Sequence, residues 1–153
     1  MTARLDAGAA CPKLSLPATN GKQVEIPGTT GRGLVIFFYP RDNTPGCTTE
    51  ARDFSESKAA FDAKGYDIVG ISRDSLASHE KFIEKQSISV ILASDEAGDA
   101  CQAFDVWVEK SMYGKKFMGI ERSTFVISPD GQVANVWRKV KVKGHAEAVL
   151  NNI

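Results

Sequence analysis

The apolar positions change their period along the chain, and those changes mark out the elements. Leu34 to Tyr39 is an unbroken apolar run, which fits a strand covered on both faces at the centre of a sheet. Pro40 ends it, and Asp42, Asn43, Thr44, Pro45 and Gly46 are turn formers. Helical sequence resumes at Cys47 and is expected to run to about Lys64, with Ala51, Phe54 and Phe61 on the inner face and Gly65 stopping it. Tyr66–Ser72 predicts a second buried strand. Ser75 to Gln86 predicts an amphipathic helix with Leu76, Phe82 and Ile83 inside. A third parallel strand is expected over Ile88–Leu92 and a short helix over Ala97–Phe104. From Val106 to Gly119, Trp107, Tyr113, Phe117 and Met118 mix with lysines without a clear period, and the stretch reads as a loop. Ser123–Ile127, the turn Pro129–Asp130–Gly131 and Gln132–Trp137 predict an antiparallel hairpin, and His145–Asn151 a last helix.

Ahead of the apolar run, Met1 to Pro12 is a polar lead-in in which Cys11, placed before proline, is expected to be extended. Leu14 and Leu16, then Val24 and Ile26, alternate about Asn20–Gly21, a strong hairpin signal. Residues Gly28 to Gly33 form a Gly-rich loop, but it leads into a strand, which rules out a phosphate cradle. Two β-α units followed by a hairpin and a helix indicate an α/β fold with a mixed sheet. No repeat, low-complexity tract or linker interrupts the 153 residues, so one domain spanning 1–153 is expected.

Charge and cysteine usage narrow the function. Nineteen acidic and nineteen basic residues balance and are scattered, which argues against a nucleic-acid surface. No apolar run approaches membrane-spanning length. The start, MTARLDAGAACPKL, lacks an apolar signal core, so the mature protein is expected to begin here and stay cytoplasmic. Three cysteines with neither C-x-x-C nor metal-type spacing argue against a disulfide framework, a dithiol oxidoreductase and a metal site. No cofactor motif is visible.

Cys47 remains, set at a helix start directly after a central strand. A free thiol has a pKa of about 8.5 and is roughly 3% ionised at pH 7; a pKa of about 6 gives roughly 90% thiolate, a difference of about 3.4 kcal/mol. Unsatisfied N–H groups of a first helical turn supply part of that difference, and a nearby arginine the rest. Polar Thr44, Thr48 and Thr49 flank the thiol, unlike the setting of a cysteine that serves as a buried hydrophobe.

The same stretch carries a likeness to a known family. P-R-D-N-T-P-G-C, from Pro40 to Cys47, resembles the peroxiredoxin pattern P-x-x-x-T-x-x-C, and the longer FFYPRDNTPGCTTEARDF is similar to the Q-type subfamily, also called bacterioferritin comigratory protein. Downstream, E-R-S-T-F-V-I, from Glu121 to Ile127, resembles the family's arginine-bearing strand. The resemblance implies a thioredoxin-like fold, a central mixed sheet flanked by helices with an added N-terminal β-hairpin. It implies reduction of hydrogen peroxide and organic hydroperoxides by Cys47, which becomes a sulfenic acid. It also implies roles for the neighbours. Thr44 offers its hydroxyl to the peroxide, the N–H groups of Gly46 and Cys47 hold an oxygen, Arg122 stabilises thiolate and developing charge, Pro40 shields the sulfur, and Glu50 orients the arginine. The loop at Val106–Gly119 is expected to lie close to this site. The subfamily likeness favours a monomer.

The chain departs from its family where a second cysteine is usual. Arg52 stands five residues after Cys47, and Ile83 occupies the other resolving position, in KFIEKQ. A one-cysteine cycle is therefore expected, with thioredoxin, a glutaredoxin or glutathione as the external thiol. The alternatives are an atypical two-cysteine cycle through Cys101 or Cys11, or a non-catalytic binding module on the same fold. Cys101, within DACQAF, is expected to pack in the core, and Cys11 to be exposed. Neither histidine reads as a base: His79 is expected on the polar face of its helix, and His145 at the start of the last one.

Overall fold

The computed structural model describes residues 4–27 and 31–153; the start of the lead-in and part of the Gly-rich loop at 28–33 lie outside the described residues. Strands β1 (Leu14–Pro17) and β2 (Gln23–Ile26) form the expected N-terminal hairpin, in register Leu14↔Ile26. Asn20 (φ 62°) and Gly21 (φ 66°) turn it, the left-handed pair that a tight hairpin demands. The hairpin docks on the main sheet through a bridge between Ala18 and Ala93.

The apolar run becomes β3 (Gly33–Phe38), with every residue buried. It pairs in parallel with β4 (Tyr66–Ser72), whose other neighbour is β5 (Ile91–Ser94), also parallel. On its opposite side β3 pairs antiparallel with β8 (Ser123–Ile127), which pairs with β9 (Val133–Arg138), giving a mixed sheet of order β5-β4-β3-β8-β9. Alternate residues of β3 enter two cores, as a sheet covered on both faces requires. Leu34, Ile36 and Phe38 join Phe104, Phe125 and the N-terminal hairpin. Val35 and Phe37 join Phe54, Phe61 and Phe82 on the face covered by α1 (Pro45–Ala63), α2 (Leu76–Gln86) and α4 (His145–Leu150). Phe37 stacks on Phe54, with ring centroids 4.7 Å apart. Gly70 makes room for it: a Cβ there would lie 2.6 Å from the Phe37 ring. Truncating such a ring costs about 3–5 kcal/mol.

Four expectations need correction. First, α1 starts at Pro45, two residues before Cys47, because proline suits the first helical position and Thr44 takes the cap. Second, β5 runs over Ile91–Ser94, displaced from Ile88–Leu92; Ile88 and Val90 are buried from the turn preceding the strand. Third, the stretch read as a loop is an antiparallel hairpin, β6 (Trp107–Met112) with β7 (Lys115–Ile120). Its turn is Tyr113 (φ 54°) and Gly114 (φ 77°), again the left-handed pair. Fourth, His79 and Cys11 are buried, at 0% and 5% exposure, instead of facing solvent. Short α3 (Asp99–Ala103) carries Cys101, fully buried as expected. Among the described residues no helix is long and apolar enough to cross a membrane.

Candidate active site

Cys47 is the third residue of α1, so its own N–H and that of Gly46 belong to the first turn, where no helical carbonyl precedes them to accept. Its side chain is 1% exposed. The β3–β8 register sets Phe38 opposite Ser123, which brings the residue before β8 to the end of β3 where α1 begins. That residue is Arg122. Its Nη2 donates to Cys47 Sγ at 3.3 Å, and its Nη1 donates to Glu50 Oε1 at 2.8 Å. Gly46 leaves space for the guanidinium: a Cβ on it would sit 3.2 Å from Nη2.

Glu50 lies one turn beyond Cys47 on the same helix face, 1% exposed, and its Oε2 has no hydrogen-bond partner among the described residues. Burial pushes its carboxyl up from 4.5 to about 7, although Arg122 pulls the other way. Burial works against the Arg122 charge too, yet Glu50 and Cys47 together hold its pKa above the ordinary value. The Thr44 hydroxyl donates to the Arg41 carbonyl at 2.9 Å, and the Thr44 carbonyl accepts the N–H of Thr48, the first bond of α1. Pro40 is exposed at the rim.

Pro40 and Thr44 form one wall of a groove of about 700 Å³ whose other wall is the β6–β7 hairpin, with Lys110, Met112, Phe117 and Met118. Met112, Phe117 and Met118 are 44–58% exposed, an unusual density of open apolar surface. The hairpin thus lies close to the site, as expected of the supposed loop. Lys110 was not singled out in the sequence, where it is one lysine among several. It has no ion-pair partner among the described residues. Its pKa is lowered by burial and by Arg122, against the pull of Cys47. A second cavity, of about 350 Å³, lies at the far end of the sheet beside Tyr66 and Ile91, away from the thiol.

The other thiols are free and lie in the opposite core: Cys11 and Cys101 belong to the cluster with Phe38, Cys47 to the cluster with Phe37. Burial pushes the Cys11 thiol up to about 11 and the Cys101 thiol higher still. His145 is buried, its Nε2 paired with the Thr124 hydroxyl at 2.7 Å, and burial with the Arg122 charge lowers its pKa to about 4. Neutral His145 and the Thr124 hydroxyl share one hydrogen bond, its direction set by the imidazole tautomer. Asp42, Asp74 and His79 bring ligand-type atoms within 4.8 Å of one another. Those atoms are already engaged in hydrogen bonds, and the cluster has the makings of a polar clamp more than of a metal cage.

A five-stranded mixed sheet with helices on both faces, an extra N-terminal hairpin and a thiol at the first turn of the helix after the central strand define the thioredoxin-like fold of peroxiredoxins. Comparison with known proteins agrees. The AhpC/TSA family model matches residues 7–136. Peroxiredoxin Bcp of Xanthomonas campestris is 52% identical over 146 residues, covering 95% of this chain and 91% of that protein. Peroxiredoxin Bcp of Bacillus subtilis is 42% identical, covering 97% and 95%. A solved structure of the Xanthomonas campestris bacterioferritin comigratory protein, studied for its alkyl peroxide reduction activity, superposes with a TM-score of 0.89 at 50% identity, covering 96% of each chain. The chain belongs to the AhpC/TSA family and, within it, to the Q-type peroxiredoxins, and it is a thiol peroxidase.

Proposed function

We propose that Cys47 is the peroxidatic thiol and that it turns over by a one-cysteine cycle. The Cys47 thiolate attacks the terminal oxygen of the hydroperoxide in line with the O–O bond. A sulfur–oxygen bond forms, the O–O bond breaks, and the departing oxygen takes up a proton and leaves as water or an alcohol, with the cysteine oxidised to sulfenic acid. Negative charge passes from sulfur across both oxygens, so fixed donors along that line lower the barrier. The Arg122 guanidinium, already on the sulfur at 3.3 Å, is the observation that carries this reading. Glu50 aims the guanidinium. The N–H groups of Gly46 and Cys47 hold an oxygen. Thr44 swings its hydroxyl from the Arg41 carbonyl to the peroxide, and Pro40 shields the sulfur.

An external thiol then attacks the sulfenic sulfur, releasing water, and a second thiol reduces the mixed disulfide. The separation of Cys11 and Cys101 from Cys47 by the sheet supports an external reductant, as does Ile83 at the other resolving position. Thioredoxin, a glutaredoxin and glutathione all suit that chemistry. The open apolar wall of the groove supports alkyl hydroperoxides beside hydrogen peroxide, the activity for which the Xanthomonas protein was studied. We read the chain as one domain, monomeric and cytoplasmic; three free, buried thiols suit a reducing compartment.

Intact-mass measurement after one equivalent of hydrogen peroxide tests the cycle. The expected product gains one oxygen on Cys47 within seconds, in the wild type and in a Cys11→Ser, Cys101→Ser double variant alike. Loss of two hydrogens from the wild type would overturn the one-cysteine cycle, and no change in mass would overturn the assignment of Cys47.

A further inference from the structure

The loop between β3 and α1, which carries Pro40 and Thr44, is held by a buried polar network that the peroxidase chemistry does not use. Asp42 sits in the middle of this loop, and its side chain is 2% exposed. One carboxylate oxygen accepts the Tyr39 hydroxyl at 2.6 Å. The other accepts from Ser78 Oγ at 2.8 Å and from His79 Nδ1 at 2.7 Å. His79 Nε2 lies 2.9 Å from the Ala93 carbonyl oxygen on β5. Both ring nitrogens of His79 therefore face acceptors, and an imidazole can satisfy both only by donating from both. The Asp42 N–H donates to Asp74 Oδ2 at 2.9 Å, and Ser72 Oγ, from the end of β4, donates to the same oxygen. Asp42, in the middle of this five-residue loop, is thus tied to the first turn of α2 and through it and Asp74 to the ends of two strands.

We propose that the Asp42–His79 pair is a positioning device for the reacting thiol, fixing the Pro40–Thr44 loop on α2 so that the first turn of α1 is held around Cys47 and Thr44 stands where its hydroxyl can swing to the peroxide. The pair touches neither substrate nor sulfur. It acts through the loop, two residues from Thr44 and two from Pro40. A misplacement of about 1 Å in such a frame costs on the order of a hundredfold in rate. A buried carboxylate also has little freedom to move, because any shift strips it of three donors at once.

This inference rests on Cys47 being the peroxidatic residue, and the test separates the two. Asparagine at 79 places an amide N–H near the position of Nδ1, and glutamine places one near Nε2. His79→Asn therefore keeps the donor to Asp42 and loses the one to Ala93, whereas His79→Gln does the reverse. Both leave one buried acceptor short, so both lose comparable thermal stability. Single-turnover rates with hydrogen peroxide, and the pH midpoint of alkylation at the Cys47 peptide, provide readouts that stability alone does not move. His79→Asn is expected within about threefold of wild type, and His79→Gln slowed by about tenfold or more with a displaced midpoint. Ser78→Ala, at the part-buried rim of the network, is expected to slow the reaction about two- to fivefold and serves if neither histidine variant folds. His79→Gln at the wild-type rate, both histidine variants slowed in proportion to lost stability, or an unaffected Ser78→Ala when it alone can be measured would each overturn the proposal. A wild type that does not consume peroxide defeats the Cys47 reading; a reactive wild type matched by His79→Gln defeats only the pair.

Discussion

Replacing Glu50 by glutamine should make the protein more stable and less active, and the size of the first effect follows from the burial of the carboxyl. In the folded chain Glu50 titrates at about 7, against an ordinary 4.5. The rise, 7 − 4.5, is about 2.5 pH units, and at about 1.4 kcal/mol per unit it amounts to roughly 3 kcal/mol. A carboxyl raised on folding contributes stability that is complete below its unfolded value and is lost as pH climbs through its folded one. Between about pH 4.5 and 7 the unfolded chain releases this proton and the folded chain keeps it, so stability falls with pH. Glutamine cannot ionise, and its amide oxygen still accepts from Arg122 Nη1. Glu50→Gln is therefore expected to match wild type near pH 4.5 and to exceed it by roughly 3 kcal/mol at pH 8. Urea unfolding at both pH values, followed through Trp107 and Trp137 in reduced protein, measures the difference, with equal slopes showing that the denatured states compare. A variant no more stable than wild type at pH 8, or a stability difference that does not change between the two pH values, would refute the reasoning. With Glu50 in its proposed role, the same variant should react more slowly with peroxide, because a neutral anchor holds the guanidinium less firmly.

Two further outcomes follow from the same site. Arg122→Lys keeps a charge but not a fork that reaches sulfur and carboxylate together, so peroxide reduction should fall by about ten- to a thousandfold in stopped-flow measurements; a loss below twofold would remove Arg122 from the mechanism. His145 is lowered from 6.5 to about 4, so its contribution is present above about pH 6.5 and is lost as pH falls towards 4. His145→Gln should flatten that acid limb by roughly 3 kcal/mol, opposite in sign to Glu50→Gln, and unchanged acid unfolding would contradict the buried neutral imidazole.

What could be read from the sequence was mostly local. The apolar run into Pro40 placed the central strand, and turn residues running into a cysteine placed the thiol at a helix start, within two residues of where α1 begins. Arg122 and Glu50 came from resemblance, since nothing local announces that a residue 75 positions downstream will touch a sulfur. The β6–β7 hairpin was missed because its outward faces carry lysines and its apolar residues remain half exposed, so no alternation between core and solvent marks it. The signal available was the Tyr113–Gly114 turn. His79 was misread for a related reason. A histidine among Ser, Glu and Lys on a helix looks solvated until Asp42, 37 residues earlier, is folded against it. A polar lead-in suggests an exposed Cys11, but the backbone there is bonded to Gly131, which draws the thiol into the core.

One consequence of the sheet remains. The sulfur hangs from the helix that follows β3, and the guanidinium from the residue that precedes β8. Their meeting therefore depends on one antiparallel alignment, Phe38 against Ser123. Sliding that pair by two residues would preserve which side chains face inward and would move the arginine by about 7 Å along the strand. A chain mispaired in this way would keep its greasy interior and its spectroscopic strand content while parting the guanidinium from the sulfur. With Arg122 in its proposed role, specific activity counts correctly aligned molecules, a quality check on refolded material that circular dichroism alone does not provide.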